Sequence, residues 1–306
     1  MQINVAVVNA FVDGAADTGA AMNGAALENT IGGNPAGVVL DADSLTSIQK
    51  REIARKVGLS ETAFVSKSSV ADFKLEFFTP TRQIAHCGHA TIATFSYLAE
   101  QGLVPAANTS KETIDGCRGI RMQNGFAYME QLKPKYIDVT EDETAILKSL
   151  RLAGGSVTVA PIIANTGNSF VLVGVRDLET LKRIQPDQIL IEELSEKWDL
   201  IGFYVFAQET CHAGRDASAR MFAPRYGIQE ESATGMAAGP LASFLHDHLG
   251  IHKRAFEIEQ GYCMPNPSPS CIHVTLEKSG TQITSLSAGG RGVLSRMLQI
   301  EIDATL

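Results

Sequence analysis

The sequence lacks the features that mark several classes of protein. Its five cysteines include no C-x-x-C pair, so neither a disulfide framework nor a zinc knuckle is indicated. Lysine and arginine number 26 against 34 acidic residues, and the net charge of -8 argues against a nucleic-acid partner, which would require a basic face. No apolar run reaches the roughly 18 residues of a membrane helix, and no basic leader precedes an apolar segment. We therefore expect a cytoplasmic protein.

The overall composition is that of a globular protein. With 306 residues, of which 44% are hydrophobic and 20% charged, the length predicts two domains of about 100 to 200 residues each. We place the first domain at 1–134, joined by a returning C-terminal strand at 292–306, and the second at 135–291.

The first domain opens with a predicted strand at 3–11 and a loop at 13–29 that is rich in Ala, Gly and Asn. A helix is predicted over 44–58, where Ser44 or Thr46 caps the start, Ile48 and other apolar residues recur at helical spacing, and Gly58 ends it. Glu61 then begins the next strand. Taken alone, a glutamate at the start of a strand is typical of the surface.

Two segments whose interiors carry no charge predict a buried helix in each half of the chain. The first runs from about His89 to Gln101 after a strand at 73–78, and the second begins at Thr234 after Met221–Pro224. Aligning Gly88 with Gly235 superimposes Tyr97 on Phe244, whereas a register two residues away aligns Cys87 with Ser232. Either register indicates a duplicated unit.

Further strands are predicted at 126–130, 156–163, 170–174, 202–208 and 273–276. The fold class is therefore α+β, with two pseudo-symmetric domains that each wrap a mostly antiparallel sheet or barrel around one buried helix.

Both helix starts carry residues suited to chemistry. His86-Cys87-Gly88-His89 precedes and opens the first helix, and Glu230-Glu231-Ser232-Ala233-Thr234-Gly235 leads into the second. Amide groups at a helix start suit an anion, and a thiol there has a lowered pKa. A turn with a small buried cysteine, and acids that merely cap a helix, would explain the same residues. Two such starts facing one interdomain cleft would hold a carboxylate.

Five segments occur in an order that resembles the PhzF-like phenazine-biosynthesis family. They are Gly32–Leu40, Gly58–Val65, Phe77–Thr81, Cys87–Thr91 and Glu230–Gly235. The resemblance covers nearly the whole chain. It implies a diaminopimelate-epimerase-like fold and a homodimer that acts on a small molecule without metal or organic cofactor, and without nucleic-acid or membrane partners.

The resemblance also implies roles for particular residues. Glu61 corresponds to the family's acid/base glutamate, and His89 and Glu231 would orient the substrate beside it. To act near neutral pH, such a glutamate needs a pKa raised by burial from about 4.3 toward 6 or 7. Further substrate-binding positions would be Cys87, Gly88, Ala90, Ser232, Thr234, Gly235 and Met236.

The chain departs from the family pattern at Glu231, which replaces Asp, at Ser232, which replaces Pro, and at Met236, which replaces a small Ser. Two other functions therefore stay open. Cys87 and Ser232 could form a two-base amino-acid racemase or epimerase, although serine is a weak base without an activating neighbour. Alternatively, Met236 could fill the cleft of a non-catalytic protein that binds small molecules.

Overall fold

The computed structural model describes residues 1–13 and 32–304. The loop predicted for 13–29 lies, apart from Asp13, outside these residues. In the described part of the chain, none of the helices has both the length and the apolar character needed to cross a membrane.

The described chain divides into two units. Unit 1 contains Met1–Glu130 and Gly289–Leu306, and unit 2 contains Gln131–Ala288. The C-terminal strand therefore belongs to the same unit as the N-terminal strand. Each unit is a predominantly antiparallel sheet with a few helices, as the α+β prediction requires.

Unit 1 contains nine of the described strands. They are β1 (Gln2–Ala10), β2 (Asn34–Val39), β3 (Thr62–Ser66), β4 (Phe73–Phe78), β5 (Gln83–Ile84), β6 (Asn108–Thr113), β7 (Gly116–Gln123), β8 (Phe126–Gln131) and the last strand, β18 (Gly292–Glu301). Its helices are α1 (Ser47–Val57) and α2 (Gly88–Glu100), with a 3₁₀ turn at Ala42–Ser44.

Unit 2 begins with β9 (Lys135–Asp138) and is richer in helices. Its further strands are β10 (Val157–Asn165), β11 (Ser169–Val175), β12 (Gly202–Ala207), β13 (Ala217–Ala223), β14 (Ile228–Glu231), β15 (Ala255–Gln260), β16 (Ser270–Ser279) and β17 (Gln282–Gly290). Its helices are α3 (Glu143–Ser149), α4 (Leu178–Arg183), α5 (Gln188–Lys197) and α6 (Gly235–Asp247), with 3₁₀ turns at Thr140–Asp142, Gly154–Ser156 and Pro224–Tyr226.

Strand pairing shows the duplication directly. In unit 1, β18, β1 and β2 pair antiparallel, β2 pairs parallel with β3, β3 antiparallel with β4, β4 parallel with β6, and β6 antiparallel with β7. Unit 2 repeats this alternation through β9, β10, β11, β12, β13, β15 and β16. The short strands β5 and β14 occupy the same place beside β4 and β13.

The helices α2 and α6 are the buried helices that the charge-free segments predict. Each has 13 residues and begins at its glycine, Gly88 or Gly235. Every residue of α2 from Gly88 to Leu98 is buried, and α6 is buried from Gly235 to His246 except at Met236. The shared starting point selects the register that aligns Gly88 with Gly235.

Helix α1 begins after Thr46, the second of the two predicted caps. The side chains of Thr46 and Gln49 make a reciprocal capping box. Gly58 ends the helix with φ of 70°. Although Ile48 fits the apolar spacing of the helix, its side chain is 52% exposed, while Lys50 is buried and forms an ion pair with Glu76.

Gly261, directly after β15, provides a test of close packing. Its φ is +84°, and a Cβ atom there would lie 2.0 Å from the Ser268 carbonyl oxygen and 2.9 Å from that of Ser232. Gly227 has a similar φ of +77°, but an added Cβ would meet nothing within 4 Å.

We expect Gly227→Ala to lower the free energy of unfolding by about 1 kcal/mol through backbone strain. Gly261→Ala should lower it by more than about 3 kcal/mol, because backbone atoms must also move.

Urea denaturation followed by circular dichroism measures both variants of this pair. Equal losses of unfolding free energy in the two variants would show that the backbone around Gly261 can relax around a methyl group.

Candidate active site

Glu61 lies immediately before β3, where the chain enters the sheet. Its carbonyl oxygen accepts a hydrogen bond of 3.0 Å from the Gly37 amide, and Gly37 pairs with Thr62 in the parallel ladder between β2 and β3. Only 7% of the Glu61 side chain is exposed. The surface position that this residue's local context favours is therefore wrong, because pairing with β2 brings the start of the strand into the interior.

The first turn of α2 brings an imidazole to this carboxylate. His89 Nε2 lies 3.3 Å from Glu61 Oε2, and His89 Nδ1 lies 3.6 Å from Cys87 Sγ. The ring thus separates a carboxyl group from a thiol, and all three side chains are buried. A buried imidazole between two such groups can pass a proton from an acid to a base without help from bulk water.

The same three side chains are the place in the described chain where a metal ion could be held. One donor atom each from Glu61, Cys87 and His89 lies within 4.8 Å of the other two. The family resemblance implies that the protein acts without a metal.

Gly88 and Ala90 are both buried in the first turn of α2. The helix begins its hydrogen bonding with the Thr91 amide, which donates to the Cys87 carbonyl at 3.3 Å. The amide groups of the turn point out of the start of the helix, where the helix dipole is positive. This geometry suits a bound carboxylate.

A buried lysine, which sequence reasoning missed, lies behind this turn. Lys111 on β6 has no exposed surface, and its Nζ donates to Thr91 Oγ1 at 2.6 Å. The pKa of Lys111 is lowered to about 7, mainly by burial; Cys87 and Asp115 raise it, and the positive charge of Arg118 lowers it.

His86 shares the surroundings of Lys111. Its Nδ1 lies 3.4 Å from Lys111 Nζ. Burial, followed by the positive charges of Lys111 and Arg118, lowers the pKa of His86 to about 2. The ring is therefore neutral across the pH range in which proteins are normally stable, so its Nδ1 can accept a hydrogen bond from the ammonium group.

In unit 2, the segment before α6 is organised by one buried amide. Gln260 Nε2 donates to the Glu231 carbonyl oxygen at 2.7 Å and to Thr234 Oγ1 at 3.0 Å. Its Oε1 accepts from the Thr234 amide and from the Tyr204 hydroxyl, both at 3.0 Å. Thr234 Oγ1 in turn donates to Glu231 Oε2 at 2.8 Å. These bonds fix the direction of the Glu231 carboxylate.

The adjacent acids of β14 have different tasks. Arg220 binds Glu230 in a two-pronged ion pair of 2.7 and 2.8 Å, and its other contacts are to carbonyl oxygens at the end of α4. Glu231 instead contacts Thr234. Burial and the nearby Glu231 charge both raise the pKa of Tyr204. Of the two acids, Glu231 is thus the one whose carboxylate lies beside the start of α6.

The remaining predicted residues of unit 2 lie around the start of α6. Gln131 Nε2 donates to the Gly235 carbonyl oxygen at 2.8 Å. Ser232 is buried, and Met236 is partly exposed, with its Sδ 3.4 Å from Asn168 Nδ2. The departures at 232 and 236 therefore fall at the beginning of the helix.

The structure thus places the predicted residues in two groups, one in each unit. Cys87, His89 and Glu61 meet in unit 1, and Glu231 and Thr234 meet in unit 2. Nothing in the sequence marks Gln260 as the residue that organises the second group. Lys111 gives no sequence signal, because the strand Asn108–Thr113 is polar on both faces.

Comparison with known proteins identifies relatives of this chain. A family model described as phenazine biosynthesis-like protein (PhzC-PhzF) matches residues 25–297. An uncharacterized isomerase of Clostridium acetobutylicum is 34% identical over 260 residues, which cover 80% of this chain and 86% of that protein. A trans-2,3-dihydro-3-hydroxyanthranilate isomerase of Pseudomonas chlororaphis is 32% identical over 273 residues, with 85% and 91% covered.

Solved structures share the architecture. The crystal structure of a PhzF-family phenazine biosynthesis protein from Bacillus anthracis aligns with a TM-score of 0.83 at 28% identity and covers 99% of this chain and 100% of that one. A hydroxyproline epimerase from Agrobacterium vitis aligns with a TM-score of 0.58 at 14% identity, a likeness of fold alone. The predicted epimerase-like fold and the predicted family resemblance are both confirmed.

The lowered pKa of Lys111 predicts a specific dependence of stability on pH. The unfolded lysine keeps its proton up to a pKa near 10.5, whereas the folded one loses it near 7, so between these values the unfolded chain binds more protons and stability rises with pH. We expect the free energy of unfolding of the wild type, relative to Lys111→Met, to rise by up to about 1.4 kcal/mol per pH unit from pH 7 to 10.

Urea titrations at several pH values measure this difference. Lys74→Met, which changes a lysine on the neighbouring strand β4, serves as the control and should keep the wild-type slope. Parallel curves for the wild type and Lys111→Met would contradict the prediction.

Proposed function

The chain belongs to the phenazine biosynthesis-like (PhzC-PhzF) family and is an isomerase; from this premise we propose that it moves a proton within a small carboxylate-bearing substrate, with Glu61 as both acid and base and without a cofactor. The contact between Glu61 and His89 supports the proposal most directly. At 3.3 Å, with 7% and 3% of the two side chains exposed, it couples a carboxyl group to an imidazole away from bulk water.

The proton transfer needs no external oxidant or reductant. The Glu61 carboxylate takes a proton from an activated carbon, so that a C–H bond breaks, an O–H bond forms and the electron pair moves into the substrate's conjugated system. The same carboxyl group then returns the proton to a second carbon, and the O–H bond breaks as the new C–H bond forms. Burial makes a carboxylate a stronger base than it is in water, which favours the first step.

His89 supports both steps by holding the carboxyl group. Its Nε2 faces Glu61 and its Nδ1 faces Cys87, so the ring orientation is fixed from both sides. In this proposal, Gly88 and Ala90 supply amide groups of the helix start to the substrate carboxylate.

The unit 2 residues enter the proposal as determinants of substrate choice. Thr234 directs the Glu231 carboxylate, which could accept a hydrogen bond from a hydroxyl or amine of the substrate. Ser232, Gly235 and Met236 complete the proposed binding residues. Because Glu231 is longer than the Asp usual in the family and Met236 larger than Ser, we propose that the preferred substrate differs in shape from that of the Pseudomonas relative.

The substrate class follows from the same reasoning. The relative from Pseudomonas chlororaphis is named for a cyclic molecule with carboxylate, amine and hydroxyl groups. We propose a small cyclic or α-amino carboxylate with an acidified C–H bond. The resemblance also supports a homodimer in the cytoplasm, and the net charge of -8 agrees with a small-molecule partner in preference to nucleic acid or a membrane surface.

Replacement of Glu61 tests the proposal. We expect Glu61→Gln to reduce turnover by at least about 100-fold, because the amide cannot take or return a proton. A panel of such carboxylates, including trans-2,3-dihydro-3-hydroxyanthranilate, is incubated in deuterated water, and deuterium uptake at carbon is followed by NMR and mass spectrometry.

Glu100→Gln, at the exposed end of α2, is the matched control and should keep wild-type turnover. If Glu61→Gln were fully active, Glu61 would not be the acid or base. Loss of turnover in Cys87→Ala and Ser232→Ala together with an active Glu61→Gln would instead support the two-base epimerase mechanism.

A chelation experiment tests whether the reaction needs a metal. We expect turnover to be unchanged after dialysis against EDTA, because the proposed proton transfer is carried by Glu61 and His89 themselves. Metal content measured by mass spectrometry before and after dialysis verifies removal. Loss of turnover that a divalent ion restores would make Glu61, Cys87 and His89, whose donor atoms lie within 4.8 Å, the candidate ligands.

A further inference from the structure

Lys111 occupies a position that is costly for a lysine. It lies on β6 between β4 and β7, where it pairs with Phe73 and Arg118, and its side chain faces the interior together with those of Thr109 and Thr113. Lysine is among the side chains least often fully buried, because its charge loses solvation. An apolar side chain would fill the same position in the sheet without this cost.

The contacts of the ammonium group show what the lysine adds. Nζ donates to Thr91 Oγ1 at 2.6 Å, lies 3.4 Å from His86 Nδ1, and stands 5.2 Å from the centre of the Phe77 ring. Two polar contacts and an aromatic face thus surround the charge. Thr91 and His86 flank the segment that contains Cys87 and His89.

A short chain of hydrogen bonds connects Lys111 to the start of α2. Thr91 Oγ1 receives the bond from Lys111 and donates its own proton to the Cys87 carbonyl at 2.6 Å. Cys87 caps the helix without a side-chain capping bond. The Lys111–Thr91 pair therefore secures the first turn from within the helix, in place of the cap that a serine, threonine or aspartate would provide.

The ring of His86 is held by the same group on the other side of Cys87. Lys111 approaches its Nδ1, and Phe77 lies edge-on to it at 6.4 Å. Residues 86 and 91 are thus both anchored to one ammonium group. His89 lies between these anchors, and its side chain must point to Glu61 for the 3.3 Å contact to form.

We propose that Lys111 is a positioning residue that holds the turn from His86 to Thr91 so that the His89 ring meets Glu61. The catalytic consequence rests on the proposed function, whereas the positioning itself can be measured without a substrate. Lys111 touches Thr91 and His86, and it acts on His89 only through them.

Histidine NMR tests the positioning directly. The chain has seven histidines, and labelling their rings with ¹⁵N, with His86→Gln and His89→Gln for assignment, resolves the two signals of interest. In Lys111→Met we expect the ring signals of both His86 and His89 to shift, whereas Lys74→Met should move neither. A shift of His86 alone would overturn the proposal, because Lys111 would then affect only the ring it touches.

Thr91 provides a second test if Lys111→Met fails to fold. Thr91→Ser keeps the hydroxyl group that links Lys111 to the Cys87 carbonyl, and Thr91→Val removes it while keeping the shape. We expect the His89 signal to stay in place in Thr91→Ser and to shift in Thr91→Val. An unchanged His89 signal in Thr91→Val would also overturn the proposal.

Kinetics separate this inference from the proposed function. With a substrate that the wild type turns over, we expect Lys111→Met and Thr91→Val to lower kcat at least about tenfold and to change KM less than about threefold, as a misplaced acid/base pair would. Turnover that survives Glu61→Gln would refute the proposed function and leave the NMR result standing. A shifted His89 signal with unchanged kcat would show that positioning by Lys111 does not matter to the reaction.

Discussion

A helix whose interior carries no charged side chain has to be enclosed, and this constraint shapes both halves of the molecule. Eleven consecutive residues of α2, from Gly88 to Leu98, are buried, so the sheet of unit 1 must cover the helix on most sides. Enclosure takes the start of the helix into the interior as well. Its first turn therefore places His89 and Cys87 beside other buried groups, and a glutamate at the entrance of β3 becomes a close neighbour.

Burial changes what these groups can do. Glu61 in water would be an ordinary carboxylate, but here only 7% of its side chain is exposed and an imidazole lies 3.3 Å away. A low-dielectric environment weakens the screening between such groups. The same environment makes polar groups expensive unless they are paired. Lys111 and Gln260, which satisfy several hydrogen-bonding groups at once, show how the two helix starts meet this demand.

The sequence predicts the parts of the fold that depend on local pattern. Strand β4 alternates apolar and charged residues and is found at Phe73–Phe78 as predicted, and α2 and α6 follow from the absence of charge. Apolar spacing predicts the helix α1 but does not show which face of it packs: Ile48 is exposed, whereas Lys50 is buried and pairs with Glu76. Lys111 could not be found at all, because its partners Thr91 and His86 are 20 and 25 residues away in the chain.

The duplicated units solve the same structural problem with different chemistry. In unit 2, Thr234 caps the helix and the neutral amide of Gln260 holds it through the Thr234 amide and hydroxyl, so the helix start carries no added positive charge. In unit 1 the cap is Cys87, and the turn is secured by the ammonium group of Lys111 through Thr91. A neutral anchor would suffice if the only need were to fix the start of the helix. The cation in unit 1 lies behind the turn that presents His89 to Glu61. The two different anchors therefore match the two different roles proposed for the units: unit 1 moves the proton, and unit 2 recognises the substrate.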